Sequence, residues 1–167
     1  MKPISLFVTV ILTLMFCSAI YAEIQEGHWY FILNKGSGMN IDVRGGSKSS
    51  KAVIQQYEPN NSDAQKWVLI PADNGYQYII SKKSNLLLDV IGGSVSPEAG
   101  VCQYRANAGD NQKWKITPVD DNFYYIQSKK SGLYLEVKDE SNKTGEIIWQ
   151  NKNNSKDSQK WRFIITN

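Results

Sequence analysis

Three acidic residues, Asp42, Asp89 and Glu136, stand 47 residues apart, each preceded by Ile or Leu and followed by Val. The same interval relates Tyr57, Tyr104 and Asn151, and it relates Ala64, Asn111 and Ser158. An ionised carboxylate accepts hydrogen bonds, a tyrosine ring presents an apolar face, and a carboxamide both donates and accepts. Such a set holds a ligand rather than transforming it. A hydrolytic or transfer centre needs a nucleophile or an acid–base pair, and beyond residue 22 the chain has one histidine, His28, and one cysteine, Cys102. No motif surrounds either, and Cys102 reads as a small packing residue. No Cys/His cluster has zinc spacing, no acidic loop has the EF-hand pattern and no glycine-rich phosphate loop occurs. Neither a metal nor a cofactor is expected, nor an enzyme.

These residues recur because the whole chain recurs. From Trp29 onward, a shift of 47 aligns the sequence on itself without a gap. "FILNKGSGMNIDV" lies over "YIISKKSNLLLDV" and "YIQSKKSGLYLEV", and the triplet "QKW" appears at Gln65–Trp67, Gln112–Trp114 and Gln159–Trp161. The repeats run over about 29–75, 76–122 and 123–167. Each consists of β-branched or aromatic runs broken by Gly, Ser, Asn and Pro, such as "WYFI", "MNIDV", "VIQQY" and "KWVLI". That pattern predicts four strands per repeat, twelve in all, and an all-β chain. Four short strands cannot bury their own apolar face, so three copies must share one core around a pseudo-threefold axis. A propeller usually needs four blades. A β-trefoil and a β-prism remain.

The first 22 residues carry Lys2, an apolar stretch from Ile4 to Phe16 and the small-residue ending "CSAIYA", the layout of a cleavable signal peptide. It is too short to span a membrane, and no later apolar run approaches that length. Residues 23–167 then form a single domain, and the chain is expected to be secreted, or periplasmic in a bacterium. With one cysteine left, no internal disulfide can form and stability must come from the core. The formal charge of +3 and pI of 8.7 are only mildly basic, which gives no reason to expect nucleic acid.

Three units that each close on a Q-x-W triplet, with an earlier "DV" or "EV", resemble the ricin B-type lectin family over essentially the whole mature chain. The resemblance implies a β-trefoil, a six-stranded barrel capped by three hairpins, with up to three shallow sugar sites. It also implies glycan partners, with galactose-type sugars the first candidates. A pyranose has an apolar face and a rim of hydroxyls, so its site wants an aromatic floor, a carboxylate and an amide. The second repeat is most complete, with Asp89, Tyr104, Asn111 and the adjacent Gln112. The first offers Asp42, Tyr57, Gln65 and Gln55, which shares a strand face with Tyr57; Ala64 lacks the amide, and Asn60 is its nearest substitute. The third has Glu136, Asn151 and Ser158 instead, with Trp149 as a displaced floor, and is expected to be silent.

Other recurring residues read as structural. Trp67, Trp114 and Trp161, with Ile32, Ile79 and Ile126, are expected on the axis as core. Gln65, Gln112 and Gln159 should also satisfy backbone groups in the turn, and Gln56, Gln103 and Gln150 should be interior amides with backbone partners. Asn60, Asn107 and Asn154, with Asp63, Asp110 and Asp157, suit Asx turns. The competing class is a protein-binding trefoil, either a protease inhibitor or the binding subunit of a toxin complex with a separately encoded partner.

Overall fold

The computed structural model describes residues 24–120 and 122–166; the signal peptide expected at 1–22 lies outside them. Twelve strands form: β1 (Trp29–Asn34), β2 (Asn40–Val43), β3 (Ile54–Tyr57), β4 (Lys66–Pro71), β5 (Gln77–Ser81), β6 (Leu87–Val90), β7 (Ala99–Tyr104), β8 (Trp114–Asp120), β9 (Phe123–Ser128), β10 (Tyr134–Val137), β11 (Ile148–Asn151) and β12 (Trp161–Ile165). The helical segments among the described residues are single 3-10 turns, and none is long and apolar enough to cross a membrane.

Pairing closes a barrel. β1 bonds β4, β4 bonds β5, β5 bonds β8, β8 bonds β9, β9 bonds β12 and β12 returns to β1, all antiparallel. A closed ring leaves no edge strand exposed. The remaining strands make three hairpins, β2–β3, β6–β7 and β10–β11. Their tips meet one another through β7–β11 and through the bridges Val53–Cys102 and Gln55–Ile147. This is a β-trefoil, and the prism alternative is set aside.

The three tryptophans explain why the interval is strict. Trp67, Trp114 and Trp161 are wholly buried, together with Ile32, Ile79 and Ile126. A ring of this size removes roughly 150–250 Å² from water and contributes most where the units converge. A buried indole N–H needs an acceptor, and each finds one 26 residues back: Ile41, Leu88 and Leu135 carbonyl oxygens at 3.1, 3.0 and 3.0 Å. Those carbonyls belong to the residues immediately before Asp42, Asp89 and Glu136. The core therefore grips the strands that carry the acids.

A second threefold set ties repeat to repeat. Gln103 donates from Nε2 to the carbonyls of Ser47 and Ser49 in the first repeat, at 3.0 and 2.8 Å, and its Oε1 accepts from Ser84 Oγ at 2.7 Å. Gln150 does the same to Ser94 and Ser96, and Gln56 to Ser141 and Lys143. Each repeat thus fastens a loop of a neighbour, which fixes the hairpins relative to one another.

The turn before the triplet is equally regular. Asn60, Asn107 and Asn154 accept from the backbone two residues on, the Asx-turn pattern. Asp63, Asp110 and Asp157 depart from the expectation: they bond Lys66, Lys113 and Lys160 three residues later, at 3.2, 3.0 and 3.0 Å. They open 3-10 turns, where the backbone is already satisfied by the Asn and Gln side chains.

Candidate functional site

Strand alternation decides which side chains leave the core. In β6, Leu88 and Val90 point inward and are fully buried, so Leu87 and Asp89 take the opposite face. Asp89 lies opposite Cys102 and Leu87 opposite Tyr104, which sets Tyr104 diagonally beside the acid on that same face. Asn111 reaches in from the 3-10 turn ahead of the triplet. The structure brings Asp89, Tyr104 and Asn111 together at a cavity of about 570 Å³, whose wall also includes Gly93, Lys51 and Lys130.

Asp89 is 4% exposed and held firmly. Its Oδ2 accepts from Asn111 Nδ2 at 2.9 Å and from Gln112 Nε2 at 2.8 Å. Among the described residues its Oδ1 meets only the weak donor Cys102 Sγ, at 4.0 Å. One oxygen is thus fixed by the protein and the other is left with capacity for a ligand hydroxyl. Burial raises the Asp89 carboxyl above the ordinary aspartate value, with Gln112, Asn111 and the Lys130 charge opposing. Tyr104 is partly exposed, with the Arg105 guanidinium 5.8 Å from its ring centroid.

The first repeat repeats the plan with less room. Asp42, Gln55, Tyr57, Asn60, Ala64 and Lys83 line a cavity of about 330 Å³. Tyr57 is 38% exposed, an open ring. Gln55 donates to Asp42 Oδ1 at 2.9 Å and is itself held by Arg44 Nε at 2.8 Å. Burial raises the Asp42 carboxyl as well, against bonds from Gln55 and Gln65. Asn60 lines the wall, but its Oδ1 is used in the Asx turn.

The third repeat is built differently. Glu136 has both oxygens occupied, by Asn154 Nδ2 at 3.2 Å and Gln159 Nε2 at 2.8 Å. Trp149, expected as a displaced floor, is 7% exposed, lies opposite Glu136 in the sheet and has the Lys138 ammonium 5.8 Å from its ring centroid. A cavity of about 130 Å³ beside this repeat is lined by Gly36, Glu140, Asp157 and Ser158, and Glu136, Trp149 and Asn151 are not among its walls. Where the first two repeats have Gly45–Gly46 and Gly92–Gly93, this one has Asp139–Glu140, with Glu140 paired to Lys156.

Two expected sugar ligands need correction. Gln65 and Gln112 are fully buried, and neither is among the cavity walls. Each accepts a backbone N–H at Oε1, from Asn60 or Asn107, and donates to a carbonyl, of Glu58 or Arg105. Gln112 also holds Asp89, so it positions the acid. The wall residues that reading within one repeat misses are Lys51, Lys83 and Lys130. Their signal lay in the repeat alignment, where Lys83 and Lys130 match Gly36.

Cys102 is 3% exposed, and burial with the adjacent Asp89 charge pushes its thiol up to about 12. A nucleophilic cysteine needs the opposite shift. Among the described residues no group of three His, Cys, Asp or Glu side chains has a metal-binding arrangement.

The family described as "Ricin-type beta-trefoil lectin domain-like" matches residues 20–104 and 110–167. The chain belongs to this family. Among solved structures, the lectin-type fold recurs in the designed threefold-symmetric protein ThreeFoil, at 32% identity and TM-score 0.81, covering 83% of this chain and 99% of that one. An exo-β-1,3-galactanase from Clostridium thermocellum matches at 34% identity and TM-score 0.83, over 86% of this chain but 31% of its own. A Macrolepiota procera ricin B-like lectin solved with lactose shares the fold at 18% identity and TM-score 0.74, covering 86% and 99%. A comparison with curated proteins finds no match.

Proposed function

We propose that this ricin-type lectin domain is a secreted carbohydrate-binding protein that holds glycans at the second repeat first, at the first repeat next, and not at the third. The observation that carries this reading is the second cavity, where an oxygen of Asp89, the Tyr104 ring and Asn111 converge on open space. Galactose-type sugars are the first candidates, because lectins of this fold have been solved with lactose and with GalNAc. The chain binds and does not catalyse, a reading supported by the buried thiol with its raised pKa.

One site is weak. A ring contact of roughly 0.5–1.5 kcal/mol and a charged hydrogen bond of roughly 1.5–3 kcal/mol leave little after the association costs. A lone site then binds near ~1 mM. Retention on a glycan-coated surface comes from two sites engaging together.

A glycan array washed at falling pH tests the proposal. At neutral pH the protein is expected to bind sugars ending in galactose or a related ring, and silence across the array would favour the protein-binding alternative. Acidification should release it above pH ~3.9, the reference aspartate value, because burial raises both Asp42 and Asp89. The sign for stability is opposite: a carboxyl with a raised folded pKa takes up its proton more readily folded than unfolded, so acid in this window does not unfold the chain through these two groups. Asp63, Asp73, Asp110 and Asp157 are lowered by lysine bonds. Their contribution to stability is therefore lost only as pH falls below ~4 toward the lowered values. Sugar release should precede loss of the far-ultraviolet circular dichroism. Retention that persists until the fold itself is lost would count against Asp42 and Asp89 as contacts.

A further inference from the structure

Each cavity is completed by residues of the other repeats, and these differ in charge. The Lys51 N–H, from the loop before β3, donates to the Gln103 carbonyl at 2.8 Å and brings Lys51 to the wall of the second cavity. The matched bonds run from Glu98 to Gln150 beside the third repeat and from Gly145 to Gln56 beside the first. A second position comes from the loop after the next repeat's first strand: Lys130 for the second cavity, Lys83 for the first and Gly36 for the third. The flanking pairs are therefore Lys51 with Lys130, Gly145 with Lys83, and Glu98 with Gly36.

The two lysines of the second cavity are not engaged by acids of the protein among the described residues, unlike the lysines of the turns before each triplet. Lys35, Lys66, Lys113 and Lys160 are all in ion pairs. Lys51 and Lys130 form none among the described residues. The Lys130 Nζ lies 2.7 Å from where a Cβ on Gly93 would stand, which places the ammonium against the Gly92–Gly93 turn of the cavity wall. Against two ammoniums the wall sets one carboxylate, Asp89, whose Oδ2 is already held by two amides. In the third repeat both devices are gone: the diglycine is Asp139–Glu140 and the flanking lysine is Gly36.

We propose that the second-repeat site takes glycans carrying an acidic sugar, whose carboxylate or sulfate meets Lys51 and Lys130 while Asp89 and Tyr104 hold the ring. An ammonium is a compact point charge without the fixed fork of a guanidinium, so either anion suits it. Both lysines are exposed, so solvent screening keeps the gain modest. This inference rests on the lectin reading above and deepens it.

Matched pairs of methyl glycosides test it: galactose with galacturonic acid, glucose with glucuronic acid, and galactose with galactose 6-sulfate. Each is titrated into the ¹⁵N-labelled protein and followed by NMR at low and at high salt. The acidic member of at least one pair is expected to bind about three- to tenfold more tightly at low salt, the preference shrinking as salt rises. In Lys130→Met, and in Lys51→Asn, which suits the positive φ at that position, the preference should fall toward one. Neutral sugars that bind as well as their acidic partners in all three pairs, or a preference untouched by both substitutions, overturn this inference and leave the lectin reading standing. No binding by any member overturns both.

Discussion

Asp89→Ala should remove binding at the second repeat, and Asp42→Ala with Asp89→Ala should abolish retention on a glycan column. A charged hydrogen bond of roughly 1.5–3 kcal/mol corresponds to about 10- to 150-fold in affinity, enough to push a millimolar site beyond use. The fold should survive, because Gln112 keeps its bond to the Arg105 carbonyl when the acid is gone. Asp89→Asn supplies the finer comparison: it retains an oxygen for Asn111 and Gln112 but loses the charge, and its affinity should fall between wild type and Asp89→Ala. Full column retention by the double variant would remove the two aspartates from the account.

Trp114→Ala is expected to have the largest effect on stability. Truncating a fully buried tryptophan costs about 3–5 kcal/mol, a large share of the 5–15 kcal/mol that typically separates folded from unfolded chains. It also leaves the Leu88 carbonyl without its indole donor. For a chain of this size the midpoint of thermal unfolding should drop by about 10 °C, read by circular dichroism. Since Leu88 precedes Asp89, sugar affinity should weaken in the same variant even below its midpoint. A loss under about 1 kcal/mol would mean that the axis is not where the repeats hold together.

The parts of this molecule that obey strict local rules were visible in the sequence. A Trp that returns every 47 residues has to occupy equivalent positions, and alternation along "VIQQY" and "VCQY" correctly separates Tyr57 and Tyr104 from the interior Gln56 and Gln103. Gly45–Gly46 and Gly92–Gly93 marked the turns of the first two hairpins, whereas the third has Asp139–Glu140 there. What escaped was whatever depends on neighbouring repeats. Trp149 sits on the expected face, yet Lys138 covers its ring. Gln65 and Gln112 adjoin the site in sequence, but the turn wraps them inward to meet Asn60, Glu58, Asn107 and Arg105. Lys51 and Lys130 lie far from Asp89 along the chain and reach its cavity from the β2–β3 loop and the β9–β10 turn of the neighbouring repeats. The raised carboxyls follow from burial of Asp42 and Asp89, which depends on packing beyond the local sequence.

In the proposed lectin, Asp89 and Tyr104 form one cradle for a sugar ring. The most direct measurement is a crystal structure of the protein soaked with the mono- or disaccharide that the array selects. A pyranose is expected to lie on the Tyr104 ring, with a hydroxyl donating to Asp89 Oδ1 and another within reach of Asn111. A sugar seated elsewhere on the trefoil, or one that touches Tyr104 while Asp89 stays out of contact, would contradict it.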